Sequence, residues 1–105
     1  MSEPSTPILF EVGQVIHHKR YEYRGVIIGA DPQCQADEDW YQKNQTQPER
    51  GQPWYHVLVH GASHTTYVAH QNLEPDSSGE RVQHPMLGRF FKSFHQGRYY
   101  QESLN

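Results

Sequence analysis

Histidines are the residues of this chain best suited to hold a metal ion, and three of the eight recur at intervals of four. On a helix, His56, His60 and His64 would share one face and could bind zinc. Their neighbours alternate as in a strand, however, and at ~3.3 Å per residue His56 and His60 lie roughly 13 Å apart. That separation is too large for one ion. We expect polar strand residues and no metal site.

Catalytic chemistry of other kinds finds no support in the residue patterns either. The single cysteine, Cys34, lies in a polar loop with acidic neighbours, whereas a reactive thiol needs an electropositive site. Ser63 and His64 are adjacent in a tight turn, which does not indicate a triad. The carboxylates at 37–39 are typical of a solvated loop, and no glycine-rich phosphate-binding motif is present. We predict neither an enzyme nor a cofactor.

Cations alternate with aromatic rings in two stretches, and this pattern is the one that favours a function. Residues 14–29 carry a charge of +2 and residues 81–100 a charge of +4, although the net charge is −3 and the remaining residues total −9. Lysine and arginine neutralise phosphates, and tyrosine can stack on bases. A solvated face remains an open alternative, because long cationic side chains also cover core rings. The candidate DNA contacts are Lys19, Arg20, Tyr21, Tyr23, Arg24, Arg89, Lys92 and Arg98.

Short β-branched runs predict that strands position the first cationic stretch. The sequences VGQVIHH, from Val12, and YRGVIIGAD, from Tyr23, are joined by a short polar link and are typical of a hairpin. The Val-Ile-Ile core suits a strand buried on both faces, as in a small barrel or sandwich. A second hairpin is predicted from WYHVLVH at 54–60 and HTTYVAH at 64–70, which are separated by the turn GAS.

Two further segments are less regular. The connection at 31–53 is long for a compact domain, and its DEDWYQKN portion could form a helical turn with Asp37 as the N-cap. Near the C-terminus, apolar residues recur at the spacing of one helix face. This pattern predicts one or two helical turns from Pro85 to Phe94, with Gly97 as the helix stop and RYY as an extended end.

The length of 105 residues fits a single domain, which we expect to cover residues 10–100. Residues 1–9 are predicted to form a disordered tail, and residues 101–105 a C-terminal tail. The apolar runs are too short to cross a bilayer, and the N-terminal residues lack the pattern of a signal peptide. One cysteine does not fit a small secreted domain either. We expect a cytoplasmic protein without membrane contact.

Several motifs together resemble the YccV-like, hemimethylated-DNA-binding family. The most specific are HKRYEYRGVIIGADP from His18, PWYHVLV from Pro53 and HQNLEP from His70, and they occur in the same order as in the family. The similarity extends from about Phe10 to Tyr100. The tail HPMLGRFFKSFHQGRYY is more like the F-box-associated and longer bacterial members than the short heat-shock protein HspQ.

The resemblance implies a mainly β fold, a small SH3-like β-barrel with a long irregular loop and a short helical C-terminal segment. It also implies a non-enzymatic module that binds double-stranded DNA of the hemimethylated type, without a cofactor. In HspQ it implies a role as an adaptor in regulated proteolysis, so a protein-interaction module with protease or client partners is the alternative. That alternative would use the loop around Trp40 and Tyr41, or an open edge of the barrel, to bind a protein.

Overall fold

The computed structural model describes residues 9–44 and 46–102, and this part of the chain is mainly β. The predicted tails lie outside the described residues except for Leu9, Gln101 and Glu102. The elements are β1 (Val15–His18), β2 (Arg24–Asp31), α1 (Glu38–Lys43), β3 (Trp54–Val59), β4 (Thr65–Ala69), β5 (Leu73–Pro75), α2 (Leu87–Phe90), β6 (Ser93–His95) and β7 (Arg98–Tyr100), with a 3₁₀ turn at His70–Asn72. The expected mainly β fold and both predicted hairpins are therefore confirmed.

Five strands form one antiparallel sheet in the order β4-β3-β2-β1-β5, and β6 and β7 form a separate hairpin. Gly13 connects the two, because its N–H donates to the carbonyl of Ile27 and its carbonyl accepts from the N–H of Tyr99. Among the described strands, β4 and β5 are the two edges of the five-stranded sheet. The closure into an SH3-like barrel that the resemblance implies stays a prediction.

Both faces of the sheet are covered by apolar side chains, as the Val-Ile-Ile sequence predicts. Val26 and Ile27 are adjacent and both fully buried, because successive strand side chains point to opposite faces. We call the side of Ile27 face A and the side of Val26 face B. The buried residues of face A are Phe10, Ile16, Ile27, Tyr55, Val57, Val68 and Leu73, and those of face B are Val15, Val26, Leu58, Val82, Phe91 and Tyr99.

The C-terminal segment corrects the prediction of a helix from Pro85 to Phe94. The helix covers only Leu87–Phe90, and the chain then forms the β6–β7 hairpin. Gln96 and Gly97 are its two-residue turn, with φ of 52° and 79°, so Gly97 turns a hairpin and does not stop a helix. Phe94 pairs with Tyr99 across the strands at a ring-centroid distance of 4.5 Å, and this tertiary contact overrides the helical spacing.

Two glycines allow backbones to approach closely. A Cβ at Gly13 would lie 2.1 Å from the carbonyl oxygen of Tyr99, and the φ of Gly13 is +96°, which other residues rarely adopt. At Gly25, a Cβ would lie 2.6 Å from the carbonyl oxygen of Leu58 on β3. The contact of the C-terminal hairpin with Gly13 and the packing of β2 on β3 at Gly25 therefore both require a residue without a side chain.

The long connection contains the helix that the sequence predicts. Asp37 caps α1, because its carboxylate accepts a hydrogen bond of 2.9 Å from the N–H of Trp40. The helix presents Trp40 to the sheet, where its ring packs edge-on against Trp54 and Tyr67. Trp54 and Tyr67 belong to a third apolar cluster around the buried residues Cys34, Trp54 and Ala69. The loop therefore builds a wall beside β4.

Candidate functional site

The first cationic stretch forms the tip of the β1–β2 hairpin, and a buried histidine organises it. The ring nitrogen Nδ1 of His18 accepts the backbone N–H groups of Arg20 at 3.1 Å and of Tyr21 at 3.0 Å. His18 is only 3% exposed and stacks on Tyr21 and Tyr23. Burial, and then the charges of His17 and Arg20, lower the pKa of His18 below its ordinary value. The neutral ring therefore holds the tip in shape.

The tip presents two cations and one ring to solvent. Lys19 and Arg20 are exposed, and Tyr21 is 48% exposed. The guanidinium carbon of Arg20 lies 5.7 Å from the centre of the Tyr21 ring, within the range of a cation–π contact. Tyr23 differs from Tyr21, since its hydroxyl bonds to Oγ1 of Thr66 at 2.8 Å and its ring packs against face A. Three of the five tip residues singled out by the sequence thus face outward.

Arg24 is held by a carboxylate that sequence reasoning did not connect to it. Its Nε lies 3.1 Å from Oδ1 of Asp76, its NH2 donates to Oδ2 of Asp76, and it also donates to the carbonyls of Glu80 and Arg81. The Asp76 side chain is 8% exposed. Burial alone would raise the pKa of Asp76, but hydrogen bonds from Arg24 and Ser78 bring it below its ordinary value. A DNA contact by Arg24 stays a prediction and would require breaking this pair.

The second cationic stretch is only partly available. Arg89 and Lys92 are exposed. Arg98 forms an ion pair with Glu11, and its guanidinium lies 5.9 Å from the ring centre of Tyr100. Glu11 therefore neutralises one of the three predicted C-terminal contacts.

Among the described residues, the exposed cations at the hairpin tip do not contact the cations of the C-terminal segment, although Arg24 donates to the carbonyl of Arg81. Tyr23 at the tip packs against face A, whereas Phe91 and Tyr99 of the C-terminal segment pack on face B. Within residues 9–44 and 46–102, no ion pair, hydrogen bond or ring contact joins Lys19 or Arg20 to the C-terminal cations. The tip therefore forms a site by itself.

Metal ligands do not come together in the part of the chain that the structure describes. No group of three or more His, Cys, Asp or Glu side chains there could hold an ion. The histidines have separate local partners instead. His17 lies between Glu22 and Glu74, His56 lies 3.4 Å from Asp31, and His60 accepts the N–H of Gln83. Of the described helices, none is long and apolar enough to cross a membrane.

A groove with a volume of about 460 Å³ runs beside β4, next to the hairpin tip. One wall comes from the tip and includes Tyr21 and Tyr23, and the other includes Trp40 and Trp54. All five residues of β4 line the groove, so it follows the edge of that strand. Tyr67 is fixed there by its hydroxyl, which donates to Asp31 at 2.6 Å and accepts from the N–H of Gln35. Burial and the Asp31 contact raise the pKa of Tyr67 to about 12.

The sequence named the elements of this groove separately but did not place them together. It indicated Trp40 and Tyr41, and an open strand edge, as alternatives for contact with a protein. The available signal was the composition of β4, TTYVA, which contains no lysine or proline of the kind that usually protects an edge strand. The pairing of Arg24 with Asp76 had no local signal, because 52 residues separate them.

Comparison with known proteins identifies the class of protein. Residues 8–98 match the family model described as "Hemimethylated DNA-binding protein YccV like". The chain therefore belongs to the YccV-like family, a family of DNA-binding domains, as its motifs indicated.

Curated relatives provide a more particular likeness. The chain is 37% identical over 95 residues to the mouse protein F-box only protein 21, and 36% identical over 95 residues to that protein from human and from Pongo abelii. In each case the match covers 88% of this chain and 15% of the relative. The chain thus spans about one seventh of the length of these proteins.

Proposed function

We propose that this domain is a small SH3-like, cytoplasmic module that binds double-stranded DNA, including hemimethylated DNA, without catalysing a reaction. Membership of the YccV-like family supports DNA binding. The observation that carries the proposal for this chain is the hairpin tip, where Lys19 and Arg20 extend outward beside Tyr21 although the net charge is −3. Cations concentrated at one protruding site can attract phosphates even in a mildly acidic protein.

The tip would act mainly on the phosphate backbone. Lys19 and Arg20 would neutralise phosphates, and Tyr21 would donate to a phosphate oxygen or pack on a sugar or a base. Arg24 and Arg98 contribute less in this proposal, because Asp76 and Glu11 already compensate their charges. Arg89 and Lys92, which are exposed, would form a weaker second contact.

The test is a titration of labelled DNA duplexes that are unmethylated, hemimethylated or fully methylated, each at ~50 and ~200 mM salt. We expect affinity to fall steeply with salt, because cation–phosphate contacts release counterions. The double variant Lys19→Ala/Arg20→Ala should weaken binding and reduce the slope of log affinity against log salt by about 2. Lys43→Ala removes an exposed lysine outside both stretches and should leave the slope unchanged. Binding that ignores salt, or that ignores the tip variant, would refute the proposal.

A protein-interaction module, such as an adaptor in regulated proteolysis or heat-shock quality control, is the second candidate. The groove along β4 favours it, because aromatic residues and a strand edge are surfaces that bind peptides. The likeness to F-box only protein 21 also supports it. An affinity capture under heat stress that recovers neither a protease component nor a client would count against this candidate.

A further inference from the structure

Two hydrogen bonds outside β4 determine which of its backbone groups face outward. His70 donates its N–H to the carbonyl of Pro53, and Val59 donates to the carbonyl of His64. In an antiparallel ladder the residues that bond to the partner strand alternate with residues whose N–H and C=O point away. His64 and His70 therefore both belong to the set of residues that bond to β3. Since this set alternates along the strand, Thr66 and Val68 of β4 also bond to β3.

The outward groups therefore belong to Thr65, Tyr67 and Ala69. Among the described residues, the N–H groups of these three residues and the C=O groups of Thr65 and Tyr67 have no hydrogen-bond partner, whereas the C=O of Ala69 accepts the first bond of the 3₁₀ turn at His70–Asn72. They lie at intervals of about 6.8 Å along the strand, the spacing at which an added strand forms its bonds. An unpaired strand edge of this kind is a template for another chain.

The groove encloses this edge from both sides. Thr66 and Val68 point to the wall that contains Tyr23, and Tyr67 and Ala69 point to the wall that contains Trp40. The residues that line the groove, all within the described part of the chain, include no lysine, arginine, aspartate or glutamate. Since His18 is held neutral, the lining beside the tip has no formal charge either.

We propose that the β4 edge binds an extended, uncharged peptide segment of a partner protein as a sixth strand of the sheet. The peptide would exchange main-chain hydrogen bonds with Thr65 and Tyr67, and would accept a bond from the N–H of Ala69. Its side chains would alternate between the wall of Tyr23 and that of Trp40. This inference deepens the second proposed function and does not depend on DNA binding.

The chemistry of the groove favours a peptide over a nucleic acid. A phosphate backbone needs cations, and Lys19 and Arg20 are not among the lining residues. A charged peptide side chain would lose water without gaining an ionic partner, so apolar and small polar side chains are selected.

The test uses a capped peptide of about seven residues in which threonine and valine alternate, long enough to cover β4. We expect it to bind, and to slow the hydrogen exchange of the amides of Tyr67 and Ala69 by about tenfold or more when the site is saturated. The amides of Thr66 and Val68, already bonded to β3, should change little. The matched control peptide carries N-methyl groups on alternate residues. This control peptide keeps the side chains but loses N–H donors that would face β4, so it should bind at least about tenfold more weakly.

Protein variants test the same assignment. Ala69→Pro removes one outward N–H and places a ring methylene in the groove, and Trp40→Ala removes one wall. Each should weaken peptide binding about tenfold or more. Lys19→Ala/Arg20→Ala should leave it unchanged, which separates this site from DNA binding.

Four results of the peptide experiments would overturn the inference. These are no binding of the threonine–valine peptide, equal binding of the N-methylated peptide, binding without slower exchange at Tyr67 and Ala69, and displacement of the peptide by single-stranded DNA. Sedimentation measures self-association at the same concentrations. A dimer that protects the same amides without peptide would assign the edge to a second copy of the chain instead, and would also overturn it.

Discussion

The two edges of the five-stranded sheet differ in whether they can accept another strand. At β4, the N–H groups of Thr65, Tyr67 and Ala69 point outward without a partner among the described residues. At β5, the outward positions are Leu73 and Pro75, since the adjacent Asp76 bonds to Val15 of β1. Leu73 donates its N–H to the carbonyl of His70, and Pro75 has no N–H. The β5 edge therefore offers no outward donor, whereas the β4 edge offers three.

The difference shows how the chain protects one edge and leaves the other available. Proline and charge protect β5, since Pro75 ends it, Glu74 pairs with His17, and Asp76 pairs with Arg24. The β4 strand contains neither proline nor a charged residue, and it lies between aromatic walls instead. Edge strands without protection usually lead to aggregation, so a bordered edge is better explained by binding of one chain.

The largest expected effect comes from proline placed at two adjacent positions of β4. Val68→Pro removes an N–H that bonds to β3 and should lower the free energy of unfolding by about 3 kcal/mol or more. Ala69→Pro should cost less, about 1–2 kcal/mol, because the N–H of Ala69 points outward and its φ of −71° already suits proline, so that only the added ring volume at this buried position is unfavourable. Urea unfolding of both variants measures the difference. Val68→Ala is the control for lost packing, and equal costs for the two prolines would contradict the assigned register.

The Arg24–Asp76 pair at the protected edge should give the next largest effect. Asp76→Ala leaves the guanidinium of Arg24 partly buried without its carboxylate, and we expect a loss of about 2–3 kcal/mol. Glu80→Ala, which removes an exposed carboxylate nearby, should change stability by less than about 0.5 kcal/mol. A double-mutant cycle with Arg24→Ala measures the coupling between the two side chains. Additive costs would show that the pair does not stabilise this edge.

The same pair predicts how stability depends on acid pH. The pKa of Asp76 is lower in the folded protein than in the unfolded chain, so its contribution is complete above the ordinary aspartate pKa of about 4. The contribution is lost as the pH falls from there through the folded pKa. Urea unfolding between pH 6 and 2.5 should therefore show a steeper loss of stability for the natural chain than for Asp76→Asn. Parallel curves would contradict this prediction.

The hairpin tip should respond to pH in a higher range, with a smaller effect. The pKa of His18 is lower in the folded protein than in the unfolded chain, so the unfolded chain binds the proton first as the pH falls below about 6.5. Stability is then lost until the folded pKa is passed. His18→Asn keeps an acceptor for the N–H groups of Arg20 and Tyr21 without a titrating ring. Its stability should vary less between pH 7 and 5, and an unchanged pH dependence would contradict the role of His18.

The smallest expected effect comes from a substitution that adds an outward backbone N–H to the β5 edge. Pro75→Thr creates an outward N–H at β5 and should change the free energy of unfolding by less than about 1 kcal/mol. Hydrogen exchange at position 75 should be as fast as at Thr65 and Tyr67. Slow exchange there would mean that the β5 edge is covered, and that the two edges differ for another reason.

Local patterns were sufficient for much of the fold. Alternation and β-branched residues predicted the two hairpins, and Asp37 predicted the start of α1, because these signals act within a few residues. The predicted helix up to Phe94 was wrong beyond Phe90. The apolar residues there pack on face B without forming a longer helix. The contact of Phe94 with Tyr99 requires the turn at Gly97, which lies later in the sequence.

For the candidate sites, sequence reasoning identified residues but not their partners. Lys19, Arg20 and Tyr21 face outward as expected of contacts, and their role in DNA binding stays a prediction. The compensation of Arg24 by Asp76 and of Arg98 by Glu11 could not be predicted, because the partners are 52 and 87 residues apart. Charge counted along the chain does not show which cations are already paired.

By itself, the sequence determined the family, the mainly β character, the double burial of Val26 and Ile27, and the position of the cationic hairpin tip. These properties depend on the order of neighbouring residues and on side-chain periodicity. Only the tertiary structure decided which cations remain uncompensated and which strand edge is open. Both depend on strand order and register, because these place distant residues side by side and determine whether each backbone N–H points to a neighbouring strand or into the groove beside β4.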